Sequence, residues 1–158
     1  MELVDNLQQR LSAAMDGPSK WWDDLKTITH RADVEAEARF PDQERDDSQK
    51  NAYRHALGAG GFAQLLGANS GIPLVEGAAR GAAKLVGYGW EGLGGMANYG
   101  STDMRHDLNA NAIGIAQSTG NPDFRSLADS LQSFAQGARK ELPPEPYEKA
   151  RPYFTYTK

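Results

Sequence analysis

The 158-residue chain contains no cysteine. No disulfide framework and no thiolate metal site can therefore form, which suits a reducing compartment. Positive charge is in short supply as well. The 17 lysines and arginines are outnumbered by 21 aspartates and glutamates, giving a net charge of −4 and a pI of about 5.4. The excess is local. Residues 1–55 hold twelve acidic against eight basic side chains, and the remainder holds nine of each. Without a basic stripe, a nucleic-acid partner has no electrostatic support. The opening MELVDNLQQR lacks the basic start and apolar run of a signal peptide. Long apolar runs are nearly absent too. Ala56 to Val75 is uncharged over a length that would span a bilayer. Five glycines, Gln64, Asn69, Ser70 and Pro73 break it up, however. Contact with a membrane through 56–100 stays open, but no stable transmembrane helix is expected.

What the chain does contain is helical periodicity. Its length fits one domain able to bury roughly two thirds of its unfolded surface. Leu3, Leu7, Leu11 and Met15 mark an amphipathic first helix that stops at Gly17-Pro18. Ser19 opens a second, to about Phe40, with Trp22, Leu25, Ile28 and Ala32 on its apolar stripe and a charged, solvated opposite face. A third starts in Asp46-Asp47-Ser48 and runs to about Gly67. A fourth spans Pro73 to Tyr88, with Glu76, Arg80 and Lys84 in an i, i+4 ladder. A glycine-rich loop, 87–100, follows as a candidate lid. The fifth runs from Ser101 or Thr102 to about Ser118, and the sixth from Asn121-Pro122-Asp123 to about Lys140. The expected fold is all-α: a compact bundle of five to six helices over 1–141, then an extended proline- and aromatic-rich tail over 142–158. Thirteen of the 17 glycines fall between Gly58 and Gly100. Glycine costs a helix about 1 kcal/mol against alanine, so this concentration needs a reason. Close helix packing at Gly67-xxx-Gly71 and Gly77-xxx-Gly81 is the simpler one, and a mobile or membrane-inserting hairpin is the other.

Two polar groups stand out on these helices. Asp47, Asn51, Arg54 and His55 form one stripe on the third helix, just before it turns apolar. His55 titrates near neutrality and can act as a general base or a ligand. Arg54 can clamp a phosphate or carboxylate. Each can equally belong to a surface stripe or a satisfied core. Asp103, Asp107 and Asn111 share a face of the fifth helix, with Leu108, Ala112 and Ile115 expected to pack inward on the other side. Asp107 can orient His55, or hold a divalent cation with Asn111, although no metal is required. Gly114 would let another helix come close. His106-Asp107 is a pair only in sequence, since neighbours on a helix diverge by about 100°. His30 reads as exposed. Glu91, beside Trp90, is the only charge between Lys84 and Asp103. It can be an acid/base group or a solvated loop residue.

The order Asn51-Ala52-Tyr53-Arg54-His55-Ala56, then Glu91, then Asp107-Leu108-xx-Asn111-xx-Gly114 resembles a poorly characterised helical domain family. Its members look like polymorphic-toxin C-terminal domains and small tailed-phage proteins. The resemblance covers about residues 31–118. Two positions depart from the family pattern: Ala110 replaces one of a pair of asparagines, and Trp90 replaces a histidine. The resemblance implies a shared site of Asn51, Arg54, His55, Glu91, Asp107 and Asn111, and a location in the bacterial cytoplasm or a phage virion. Two functions follow as expectations. One is an effector-type hydrolase acting on a cell-envelope or phosphodiester substrate. Here His55, Asp107 and Glu91 are catalytic, and Arg54, Asn51 and Asn111 bind substrate. The other is a non-enzymatic virion protein, structural or ejected, whose polar cluster is a buried network. Its tail residues Tyr147, Tyr153, Phe154 and Tyr156 would dock on a partner such as a virion protein. Oligomeric state is left open by the sequence.

Overall fold

A computed structural model describes residues 18–44, 48–94, 102–140 and 154–156. Five helices make up nearly all of it: α1 (Pro18–Arg39), α2 (Ser48–Leu65), α3 (Pro73–Gly94), α4 (Thr102–Ser118) and α5 (Phe124–Gly137). Two short strands, β1 (Ala138–Lys140) and β2 (Phe154–Tyr156), pair antiparallel. The fold is all-α, as expected. The proposed helix at 2–15 lies outside the described residues.

Local chemistry explains the boundaries. Pro18 fits a first helical position, where its missing N–H costs nothing. α1 stops at Arg39 because Phe40 precedes Pro41, and a residue before proline avoids the helical region. α2 ends in a Schellman motif. Gly67 takes a left-handed φ of 103°, Ala68 N–H donates to the Ala63 carbonyl at 2.9 Å, and Gly67 N–H donates to that of Gln64 at 2.9 Å. Asp123 caps α5. Its Oδ1 accepts the Ser126 N–H at 2.8 Å, and the Ser126 hydroxyl accepts the Asp123 N–H in return.

α2 is the central element and packs against α1, α3, α4 and α5. It is buried on most of its circumference, with Ala52, Tyr53, Ala56, Leu57, Phe62 and Ala63 all covered. One apolar cluster joins Ala32, Ala36, Phe40, Tyr53 and Leu57 to Leu127 and Leu131 of α5. A second joins Ile28, Phe62 and Ile115 to Ala79 and Ala83 of α3. Arg39 ties α1 to α5, donating to Glu35, Asp129 and Gln132. Lys50 is buried, and its ammonium donates to Glu37 and to the Gln43 carbonyl, both at 2.8 Å. The Gln64 amide holds the α4–α5 turn through the carbonyls of Asn121 and Asp123.

The closest approach is α2 on α4. A Cβ at Gly114 would overlap the main chain of Ala56, and one at Gly60 would press on the main chain of Gly114. The fit expected at Gly114 is therefore real, but its partners Gly60 and Ala56 were not foreseen.

Several sequence expectations need correction. Gly67 and Gly71 form the turn after α2, both with positive φ, rather than a packing motif. Gly77 and Gly81 face open space on α3. The supposed loop from Gly87 is helical as far as Gly94. Glycine weakens a helix but does not break it, and no proline interrupts this run. α5 ends at Gly137, not near Lys140, because Ala138 starts the strand. Trp22 leaves the apolar stripe of α1 and is half exposed, whereas Ala36 joins it. Ala112 points outward while Asn111 and Ala110 are buried. α4 turns its polar face inward because that face meets the polar stripe of α2. No described helix is long and apolar enough to cross a membrane.

Candidate active-site cleft

Asn51, Arg54 and His55 occupy consecutive turns of α2, so their side chains leave the helix on one side. Asp107 and Asn111 lie one turn apart on α4. The close crossing at Gly60 and Gly114 brings these two faces together. The His55 Nε2 lies 3.3 Å from Asp107 Oδ1, with both side chains under one-fifth exposed. The same carboxylate oxygen accepts the Asn51 amide at 2.9 Å. Asn51 Oδ1 in turn accepts an Arg54 N–H at 2.6 Å. Asn51 is thus a bridge between Arg54 and Asp107, occupied at both ends of its amide.

These groups border a cleft of about 190 Å³. Arg54, His55 and Asn111 line it, together with Asp33 and Thr29 of α1. Leu25, Ala59, Phe62, Ala83 and Val86 supply its apolar surface, and Gly58 and Gly87 complete it. Asp107 stands behind His55. α3 passes beside Asn111 at Gly87, where an added Cβ would lie at an ordinary contact distance of 3.6 Å from the Asn111 amide nitrogen.

Asp33 was not expected here. It belongs to a helix whose charged face reads as solvated, yet its Oδ1 lies 3.7 Å from Arg54 Nε. Its signal in the sequence was faint: Asp33 follows the buried Ala32 and lies one turn after Thr29, so it borders the apolar stripe. The Thr29 hydroxyl donates to the Leu25 carbonyl at 2.7 Å, so it is tied to its own helix.

Other expected residues fall elsewhere. Glu91 is part of α3, one turn beyond Gly87, instead of in a loop. His106 is buried and does not line the cleft, and His30 is exposed. Asp47, Tyr147 and Tyr153 lie outside the described residues. Phe154 and Tyr156 belong to β2, whose backbone pairs with Lys140 and Ala138. The end of the tail therefore returns to the helical body. Among the described residues, no group of three or more His, Asp or Glu side chains is placed to hold a metal ion.

The arrangement offers an imidazole oriented by a carboxylate, a guanidinium and a buried amide on the edge of an apolar recess. Comparison with family models, curated proteins and solved structures gave no match.

Proposed function

We propose that the chain is an effector-type hydrolase of the toxin and phage kind whose motif order it resembles. One observation carries this reading: His55, paired with Asp107 behind it, lines a cleft open to solvent, and Arg54 and Asn111 line the same cleft. A network kept only for stability would close over its polar groups. In this reading His55 takes a proton from water, and Asp107 holds the imidazole and offsets its positive charge. Arg54, steadied by Asn51 and Asp33, faces the charge that develops on the substrate. Glu91 is assigned an acid/base part on the strength of the resemblance and its place one turn beyond Gly87.

The test is a panel of ester, amide and phosphodiester substrates given to wild type, His55→Ala and Asp107→Asn. Turnover that falls about 10²–10⁴-fold in His55→Ala, with the helical circular dichroism intact, supports the reading. Turnover on no substrate class, or turnover indifferent to both variants, rejects it.

A second reading, a virion protein, is favoured by a different observation. Leu74, Leu85 and Tyr88 are exposed along one face of α3, with Gly77 and Gly81 open between them. Such a face suits assembly with a partner. A chain that binds neither virion proteins nor liposomes would count against it.

A further inference from the structure

We infer that the cleft takes a neutral carboxylic ester with a short apolar acyl group, rather than a phosphodiester. This narrows the substrate class of the hydrolase reading and rests on it.

Charge is the first argument. Among the described residues Arg54 is the only cation lining the cleft, and it already lies beside Asp33. Asp107 adds a second negative charge directly behind His55. With the imidazole neutral, the local balance is one positive charge against two negative. A phosphodiester brings a further negative charge and is ordinarily met by clamps of several cations or a metal. A neutral carbonyl incurs no such repulsion. When its oxygen becomes negative in the transition state, the Arg54 guanidinium and the Asn111 amide border the space it occupies.

Shape and lining give the second argument. Leu25, Ala59, Phe62, Ala83 and Val86 come from three helices and make one apolar wall. The side chains of these five carry no hydrogen-bond donor or acceptor for a sugar or a phosphate. The volume of about 190 Å³ corresponds to roughly six water-sized units. That admits a chain of about four to six carbons.

The nucleophile follows by the same inspection. Among the described residues no serine lines the cleft, and Thr29 is bonded to its own helix. Water attacks the carbonyl carbon as His55 accepts one of its protons, forming a C–O bond and an oxyanion. When the intermediate collapses, the bond to the alkoxy oxygen breaks, and that oxygen takes the proton back from His55. The products are a carboxylic acid and an alcohol.

The experiment uses the full chain with p-nitrophenyl acetate, butyrate and octanoate, and with bis(p-nitrophenyl) phosphate. Wild type, His55→Ala and Ala59→Leu are compared, with folding checked by circular dichroism. The butyrate ester is expected to turn over fastest, and His55→Ala to lose at least about 10²-fold. Ala59→Leu fills the apolar wall four residues from His55. It is expected to lower the butyrate-to-acetate ratio about tenfold, a ratio that is independent of the fraction of folded protein. His55-dependent cleavage of the phosphodiester without ester cleavage would overturn the acyl assignment and leave the hydrolase reading standing. Cleavage of neither class would reject both. Ester cleavage with no chain-length preference, or unchanged by His55→Ala, would overturn the assignment to this cleft.

Discussion

Replacing Gly114 and Gly81 separately by alanine should shift stability in opposite directions, although both glycines sit inside helices. Propensity alone predicts a gain of up to about 1 kcal/mol at each. At Gly81 nothing lies within 4 Å of the added Cβ, so the gain stands. At Gly114 the Cβ would meet the carbonyl of Ala56, and a main chain cannot turn aside as a side chain can. Overpacking a tight site costs about 1–3 kcal/mol and occasionally more. The upper end applies here, which leaves a net loss of about 2–3 kcal/mol after propensity is counted. For a chain of this size each kcal/mol moves Tm by about 2–4 °C. Gly81→Ala should then melt roughly 2–4 °C above wild type, and Gly114→Ala roughly 4–12 °C below it. Calorimetric or circular-dichroism melts at matched concentration read both. Equal shifts, or a Gly114→Ala melt within 2 °C of wild type, would refute the close α2–α4 crossing.

Asp107→Ala leaves Asn51 and His55 without their shared acceptor, and a buried group that loses its partner costs about 1–3 kcal/mol. A melt should show it, and His55→Ala, which leaves the Asn51–Asp107 bond in place, should melt closer to wild type. Burial pushes the Tyr53 hydroxyl above its ordinary value of 10.0, because the charged form is penalised in the core. The folded state thus favours the protonated phenol, and that stabilisation is complete below pH 10.0 and is lost as pH rises further. Urea midpoints measured between pH 9 and 11.5 should fall more steeply for wild type than for Tyr53→Phe. The Ser126 backbone N–H holds the Asp123 carboxyl below its usual 3.8. This contribution is present above 3.8 and disappears as pH drops below it, so Asp123→Asn should flatten the acid limb of a pH melt series.

Much of this architecture was legible in the chain because helices announce their ends. Pro18, Pro41, Gly67, Pro73 and Asp123 each set a boundary by main-chain chemistry that needs no tertiary information. Helical spacing alone also puts Asn51 and His55 on one face and Asp107 and Asn111 on another, while the contact of His55 with Asp107, one of two roles the sequence leaves open for that carboxylate, comes from the helix crossing. What spacing cannot tell is which way a face points. Ala112 looked like core yet points outward, because the inward side of α4 is set by the polar stripe it meets on α2. Asp33 was obscured likewise, because a carboxylate on a charged helix looks solvated until its neighbour is known. The glycines misled because one residue type serves three purposes here. It makes a left-handed turn at Gly67, a backbone contact at Gly114 and an open helix face at Gly81, and only surroundings separate them.

The crossing of α2 on α4 also determines how the cleft responds to change. Ala56 follows His55 directly, and Gly114 lies two turns along α4 from Asp107. The separation of imidazole and carboxylate is therefore gauged by main chain resting on main chain. Side chains have rotamers to explore, and peptide planes in mid-helix have almost none. Core leucines such as Leu127 and Leu131 have that freedom, while the spacing of the pair is held by main chain. The recess in front of it, walled by side chains, is free to diverge in shape. Such a scaffold can change what it accepts without disturbing the pair beside it.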